Sequence, residues 1–197
     1  IAGLKAYLGK EYENLYCVDI ICHGVPPMKY LSEHISSVTK GKKVNRISFR
    51  GGKQDFCLKL KSDEEELYSV DKFHDIYYHT FLKSMIYREN CYQCTYAECK
   101  RVGDLTLGDF WGLDRSTLKT DQKGNISVVL VNTEKGQQLF KCVQNKLIFE
   151  ERKLEESIQG NPQLRRPALP HKCRNIFLKK YENGMDFENA VKETGIL

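Results

Sequence analysis

The sequence lacks the signatures of several common cofactor sites. No GxGxxG, no P-loop GxxxxGK[ST] and no GxSxG occurs among its 197 residues. The sequence therefore has no motif for NAD binding in a Rossmann fold, for ATP binding by a P-loop or for the nucleophile of an α/β-hydrolase. The sequence also contains no internal repeat and no low-complexity tract.

Long hydrophobic runs are also missing. The longest are Val18–Cys22 and Val128–Val131, far short of the roughly 20 residues of a membrane-spanning helix. Hydrophobic residues make up 41% and charged residues 29% of the chain, which is typical of a soluble, folded protein without a membrane span. We predict a single domain over residues 1–197, with residues 160–197 as a helical and irregular C-terminal appendage.

No long block of one charge is present. The formal net charge is +5, with Lys and Arg scattered among Asp and Glu. No motif of sequence-specific nucleic-acid binding accompanies these charges, so we predict no nucleic-acid partner. An anionic ligand or an acidic protein partner fits, although most of these lysines are expected on a solvated surface.

Cysteines are more frequent, with eight in the chain and no signal peptide before them. The sequence begins IAGLKAYLGK without Met, which we interpret as the interior of a longer protein. Cys17, Cys57 and Cys142 lie in apolar contexts typical of packed thiols. We expect a reducing, cytoplasmic setting in which the clustered cysteines bind metal.

Hydrophobic patterning predicts an α/β fold with α+β character: a mixed β-sheet flanked by helices, with a β-hairpin and a cysteine-rich loop. Gly51-Gly52 marks the hairpin turn, and Leu67–Val70 adds a possible third strand. Helices are predicted over 1–10, 27–39, 72–88, 133–145, 175–183 and 186–194. Strands are predicted near 15–22, 44–50, 55–61, 104–108, 126–131 and 147–150.

The stretch from Asn90 to Gly112 combines unusual features. Cys91, Cys94 and Cys99 lie within nine residues, and an alternating run over 104–107 leads to Gly108-Asp109-Phe110-Trp111-Gly112, which contains the single tryptophan. Glycines permit close backbone approach, and an acid and an indole offer a hydrogen-bond partner and a flat surface. A cofactor site is one interpretation; a structural thiol loop beside a buried Trp is the other.

Cys22 is the most notable cysteine outside this cluster. It lies at the carboxyl end of a predicted buried strand, before His23-Gly24 and a helix, where α/β sheets often place ligands. Arg50, near the hairpin glycines, could hold a phosphate, but an ordinary surface charge is an equally good interpretation.

Three kinds of thiol site are compatible with these cysteines. Zinc commonly takes two close ligand pairs, whereas the sequence has one CxxC and no histidine at finger spacing. An iron–sulfur cluster tolerates ligands from distant segments, so Cys22, Cys91 and Cys94 could contribute, with Cys99 or a cysteine outside this chain as the fourth. A thioredoxin-like site fits least well, because the CxxC follows a predicted helix rather than opening one.

These blocks together resemble the C-terminal domain of the coenzyme F420 hydrogenase/dehydrogenase beta-subunit family. The likeness spans nearly the whole chain, and it is the combination of the CHGVP and CxxC…GDFWG blocks that is specific. The matching segments are Asp19–Pro26, Ile47–Arg50, Cys91–Cys94, Arg101 to Gly112, Asn132-Thr133, Lys135-Gly136 and Asn161-Pro162.

The resemblance implies an oxidoreductase module that passes electrons between a [4Fe-4S] cluster and FAD, and in family members on to coenzyme F420 or another acceptor. It implies a redox partner subunit or ferredoxin, and a ferredoxin-like N-terminal segment of the same protein that is missing here. Cys22, Cys91 and Cys94 match its cluster-ligand positions, and Cys99 is the uncertain fourth. Residues expected near the flavin are His23, Gly24, Arg50, Gly108, Asp109, Phe110, Trp111 and Gly112.

A second hypothesis belongs to another class. The chain could be a non-catalytic subunit-interaction domain, either stabilised by zinc or free of metal, with catalysis elsewhere. Whether isolated protein binds iron and flavin, zinc or nothing distinguishes the two hypotheses.

Overall fold

A computed structural model describes residues 1–51, 56–121 and 124–197. The chain folds into two compact units, each made of two segments. The first comprises Ile1–His23 and Gln93–Ala168, and the second comprises Gly24–Tyr92 and Leu169–Leu197. The interpretation as one domain with a C-terminal appendage stays a prediction.

The described residues form two small sheets and eight α-helices, which confirms the mixed α/β class. The strands are β1 Val18–Ile20, β2 Arg46–Ser48, β3 Cys57–Ser62, β4 Glu65–Asp71, β5 Leu105–Asp109 and β6 Ser127–Val131. The helices are α1 Ala2–Leu8, α2 Met28–Val38, α3 Ile76–Leu82, α4 Glu89–Tyr92, α5 Glu134–Val143, α6 Leu154–Gly160, α7 Arg174–Glu182 and α8 Phe187–Lys192. None of these helices is both long and apolar enough to span a membrane.

The first unit contains a mixed sheet in the order β1-β5-β6. β1 runs parallel to β5, with Ile20 opposite Leu107, and β5 runs antiparallel to β6, with Leu107 opposite Val129. Because facing residues in a sheet share a face, these three side chains lie on one side of it. The parallel pair puts the end of β1 beside the end of β5, which positions Cys22 near the predicted glycine turn.

The prediction that β1 is buried on both faces was wrong. Val18 is 46% exposed and Ile20 is 61% exposed, whereas Ile21 turns to the other side and packs with Val128 and Leu164. The apolar run therefore reflects one core face and one uncovered face rather than a strand covered on both sides.

The second unit contains an antiparallel sheet in the order β2-β3-β4. The predicted hairpin strands and the third strand are confirmed, with Arg46 opposite Lys61 and Leu58 opposite Val70. The Gly52 half of the predicted turn lies outside the described residues, as do Lys53 and Asp55. The sheet packs Leu58 and Leu60 against Tyr78, and a larger core gathers Tyr30, Tyr77, Met85, Ile86, Cys173, Phe177, Phe187, Ala190 and Val191.

The predicted helix over 72–88 was too long at both ends. The Asp75 carboxylate caps α3 by accepting from the Tyr78 N–H, so the helix begins only at Ile76. Ser84 has φ 55°, a left-handed conformation that ends the helical path before the cysteines. Cys91 instead lies in the separate short helix α4.

Two further differences lie after β6. The strand predicted at 147–150 was wrong: these residues form a loop in which Ile148 is 76% exposed and the Phe149 ring packs edge-on against Phe140. α6, which follows this loop, had not been predicted. The helix over 133–145 is confirmed as α5, whose N-cap Thr133 accepts from the Gly136 N–H.

Candidate functional site

The first unit places Cys22 and His23 directly after β1. The Ile21 N–H donates to the Leu107 carbonyl at 2.8 Å and extends the pairing with β5 by one residue. A Cβ at Gly108 would lie 2.7 Å from Ile21 Cδ1, so a larger residue there would displace the buried Ile21 side chain. Cys22 is an exposed free thiol at this end of the sheet.

His23 and Asp109 influence each other electrostatically. The pKa of His23 is lowered, because surrounding protein atoms take part of the water away from the imidazolium although the residue reaches the surface, and the nearby Asp109 carboxylate offsets only part of this effect. The imidazole is therefore mainly neutral at pH 7, when one ring nitrogen can donate and the other can accept a hydrogen bond.

The glycine-bracketed turn packs closely on α6. The Phe110 N–H donates to the Ile126 carbonyl at 2.9 Å, and Gly112 adopts φ 75°. A Cβ at Gly160 would overlap the Trp111 carbonyl oxygen, so glycine is required where α6 ends. The Trp111 side chain is not buried as the structural alternative required: the residue is 44% exposed, which leaves an aromatic surface accessible.

A buried arginine holds the cysteine loop that follows Cys94. The Arg101 side chain is 6% exposed and pairs with Asp19 at 3.1 Å. It also donates to the carbonyls of Tyr96 at 2.7 Å and Ile20 at 3.0 Å. Arg101 thus ties the loop of Cys94 and Cys99 to the end of β1, beside Cys22, rather than acting as a free surface cation.

The two thiols of this loop have different surroundings. Cys94 is half-buried, and its carbonyl accepts from the Ala97 N–H at 3.2 Å. Cys99 Sγ donates to the Leu164 carbonyl at 3.0 Å. A thiol donates such a bond and a thiolate cannot, so metal ligation by Cys99 would require this contact to break.

In the second unit, Val25 of the CHGVP block contacts Cys91 of the CxxC block. The Val25 N–H donates to Cys91 Sγ at 3.3 Å, and the Val25 carbonyl accepts from the Arg88 N–H at 2.9 Å. A Cβ at Gly24 would overlap the Tyr87 ring, which only glycine avoids. Backbone N–H donation to sulfur is typical of cysteines that ligate metals or clusters.

Arg50 lies elsewhere in the second unit. Its guanidinium carbon is 4.0 Å from the centre of the Phe56 ring, and Lys72 Nζ is 4.5 Å from the same centre. Two cations therefore share one aromatic side chain, an arrangement that suits an anionic group nearby.

The predicted ligands divide between the two units. Cys22, Cys94 and Cys99 belong to the first, together with His23 and the turn 108–112, while Cys91, Gly24 and Arg50 belong to the second. All eight cysteines are free thiols, and thiols suit an iron–sulfur cluster or zinc. Across the described ranges, no three Cys, His, Asp or Glu side chains are grouped at metal-binding distance.

Sequence reasoning missed three supporting residues. Gly160 precedes an Asn-Pro pair, a weak turn signal that does not indicate contact with Trp111. Asp104 is 6% exposed and receives hydrogen bonds from the Cys17 N–H and the Thr133 hydroxyl, both at 2.8 Å. Arg174 is 7% exposed and contacts the Cys91-bearing segment; no local pattern marks it.

Fold and site define an α/β protein whose first unit carries Cys22 at the end of β1, near a tight glycine turn after β5, and whose second unit carries Cys91 in the short helix α4. The family model for the C terminus of the coenzyme F420 hydrogenase/dehydrogenase beta subunit matches residues 1–157. The chain belongs to this family, which confirms the resemblance and an F420-linked oxidoreductase class. No curated protein and no solved structure matches the chain.

Proposed function

We propose that this chain is the iron–sulfur flavoprotein module of an F420 hydrogenase/dehydrogenase-like oxidoreductase. It would pass electrons between a [4Fe-4S] cluster and FAD, and on to coenzyme F420 or another acceptor. Family membership over residues 1–157 supports the class. The observation that carries the proposal is the contact of Val25 with Cys91 Sγ at 3.3 Å, because it joins the CHGVP and CxxC blocks through a sulfur atom.

The proposed cluster ligands are the thiolates of Cys22, Cys91 and Cys94, at the positions where family members carry ligands. The fourth is Cys99 or a cysteine outside this chain. The bond from Cys99 to the Leu164 carbonyl favours the second choice, since that carbonyl would face the negative charge of a thiolate.

The proposed flavin-binding groups supply flat, polar and cationic surfaces. The exposed Trp111 indole offers a stacking face, beside Phe110 and the backbone of Gly108 and Gly112. The His23 imidazole and the Asp109 carboxylate can form hydrogen bonds, the Gly24 backbone follows His23 directly, and Arg50 can balance a pyrophosphate. A bound flavin supplies hydride chemistry and can exchange single electrons with a cluster, whereas the protein supplies position and charge.

A beta subunit works with other subunits, so a partner is part of the proposal. The electron partner would be a redox subunit or a ferredoxin, and a ferredoxin-like N-terminal segment of the same protein would lie upstream. We propose a cytoplasmic location, in keeping with eight free thiols.

A second function is favoured by the exposed face of the first sheet. Val18, Ile20, Leu107 and Val131 are each 39–61% exposed and share this face. Aliphatic surface of this kind is typical of protein–protein contact. The alternative is therefore a subunit-interaction domain, stabilised by zinc or free of metal, with catalysis elsewhere.

The test is iron, acid-labile sulfide, zinc and flavin per chain after anaerobic reconstitution. Cys22→Ser and Cys91→Ser should each lose the iron. The prediction that Cys142 is a packed thiol was wrong, because it is exposed, whereas Cys17 and Cys57 are buried. Since Cys142 also lies outside both blocks, Cys142→Ser is the matched control. About four irons with equal sulfide, retained in the control, would support the proposal.

Other results point elsewhere. One zinc without sulfide would replace the proposal with the structural alternative. Iron that survives both Cys22→Ser and Cys91→Ser would contradict the assigned ligands. Iron binding that requires an upstream extension would place the fourth ligand outside this chain.

A further inference from the structure

The segment after the family match takes part in building the candidate site. The match ends at residue 157, yet Leu169–Leu197 is part of the same compact unit as Cys91. Its helix α7 is fixed in the core by Phe177, which is fully buried. Arg174, at the first position of α7, reaches the segment that carries Cys91.

Arg174 contacts the backbone before α4 and two side chains within α4, the short helix that carries Cys91. Its Nη1 donates to the Met85 carbonyl at 2.8 Å and to the Tyr92 hydroxyl at 3.2 Å, and its Nη2 pairs with Glu89 at 3.0 Å. Met85 precedes α4, and Tyr92 directly follows Cys91 within it. A planar guanidinium can serve three acceptors at once, which an ammonium group cannot match in the same geometry.

The Tyr92 hydroxyl passes this restraint on to the backbone. It donates to the Ser84 carbonyl at 2.7 Å and accepts from the Tyr87 N–H at 3.1 Å. The Tyr92 hydroxyl thereby joins the backbone at Ser84 and Tyr87 to Arg174.

The restrained segment controls the surroundings of one sulfur. The Cys91 N–H donates to the Arg88 carbonyl at 2.9 Å, and Cys91 Sγ accepts from the Val25 N–H. α4 has only four residues and no buried side chain, so it has little packing of its own. An external anchor is therefore needed to hold Cys91 in one position.

We propose that Arg174 is the positioning residue of the Cys91-bearing turn, and that residues 169–197, which lie beyond the family match, serve the site through it. The use of the positioned thiol as a cluster ligand rests on the proposed function. The positioning itself does not, and it can be measured without iron.

The first experiment measures the carbamidomethylation rate of Cys91 in the full 197-residue chain by iodoacetamide and peptide mass spectrometry. Arg174→Met should raise this rate at least threefold relative to Cys142 in the same molecule, because the freed turn exposes the sulfur. Tyr92→Phe is a milder variant that keeps the ring and should give a smaller rise. Arg152→Met is the matched control, since Arg152 pairs with Glu156 and Thr117 in the first unit.

The second experiment uses protein reconstituted anaerobically with iron and sulfide. Arg174→Met should lower bound iron at least twofold and change the electron paramagnetic resonance spectrum of the reduced cluster. Arg174→Lys, which keeps the charge, should recover part of the iron but not the wild-type spectrum. A general loss of stability would not distinguish the two substitutions in this way.

The outcomes separate the two proposals. Wild-type protein without iron, but with a faster Cys91 reaction in Arg174→Met, would remove the proposed function and keep the positioning role. Unchanged Cys91 rates in both Arg174→Met and Tyr92→Phe would overturn the positioning role, as would wild-type iron content and spectrum in Arg174→Met.

Discussion

Asp104 is a buried residue that forms hydrogen bonds with three separate parts of the first unit. Its two oxygens accept from the Cys17 N–H and the Thr133 hydroxyl, while its carbonyl accepts from the Asn132 N–H at 2.9 Å. It therefore joins the approach to β1, the start of β5 and the beginning of α5. Burial disfavours the charged form, but these hydrogen bonds outweigh burial and lower the pKa of Asp104.

Asp104→Asn should destabilise the protein by about 2 kcal/mol at pH 7, since an amide cannot accept both charge-assisted hydrogen bonds at one geometry. The lowered pKa means that the carboxylate stabilises the fold above its unfolded pKa, near 4, and loses this effect as pH falls through the folded value. Urea unfolding of both proteins between pH 7 and pH 3 measures the difference. A difference that stays constant over this range would contradict the assigned role.

At the residue scale, the motif residues could be predicted from the sequence, but the residues that contact one another from distant parts of the chain could not. Cys22 and Cys91 are marked by spacing and resemblance, and their role as cluster ligands stays a prediction. His34, in α2, is 1% exposed and contacts Asp75 at 2.8 Å and Glu188 at 3.0 Å. Such partners lie up to 154 positions apart, and no local pattern indicates them.

At the scale of elements, two neighbouring isoleucines at the end of β1 lie in opposite environments, one exposed and one buried. Ile20 is 61% exposed, and the next residue, Ile21, is 6% exposed in the core with Val128 and Leu164. Because side chains alternate across a strand, neighbouring isoleucines report on the two faces of the sheet. This pair provides a matched comparison.

Ile20→Thr should change the free energy of unfolding by less than about 0.5 kcal/mol, since threonine keeps β-branching on an exposed face. Ile21→Thr should cost about 2–3 kcal/mol, because it removes buried methyl groups and buries a hydroxyl. Chemical unfolding checks both values. Binding of a fluorescent hydrophobic dye should fall only in Ile20→Thr, and equal destabilisation by the two changes would mean that the face is covered.

Element prediction succeeded where the pattern was local. The hairpin strands and α5 have clear alternation or a capping threonine, and both are confirmed. The predicted helix over 72–88 failed because Asp75 and Ser84 set its ends through a cap and a left-handed turn. The predicted strand at 147–150 has apolar residues, but burial in a sheet does not follow from composition alone.

At the scale of the whole molecule, the end of the family match does not coincide with the end of a folding unit. Five of the nine residues in the largest core come from beyond Ala168: Cys173, Phe177, Phe187, Ala190 and Val191. Their partners Tyr30, Tyr77, Met85 and Ile86 precede Cys91 in sequence. A hydrophobic core cannot lose half of its members and remain packed.

Removal of residues 169–197 should therefore unfold the second unit and give fast amide exchange throughout β3 and β4. Removal of residues 1–8 is the control and should leave this exchange nearly unchanged, because α1 has no buried residue. Hydrogen–deuterium exchange with mass spectrometry measures both truncations. Retained protection of Leu58 and Leu60 in the shorter protein would show that the sheet does not need α7 and α8.

The division of each unit into two segments also has a consequence during synthesis. β1 leaves the ribosome well before its partner β5, which follows only after the whole stretch from Gly24 to Tyr92. That stretch must in turn wait for residues 169–197 to complete its core. The second unit therefore cannot finish folding until residues 169–197 have been synthesised, and its strand edges and the Cys91 thiol would stay accessible in the meantime. Nascent chains of this protein should depend on chaperones and on a reducing environment until α8 has left the ribosome.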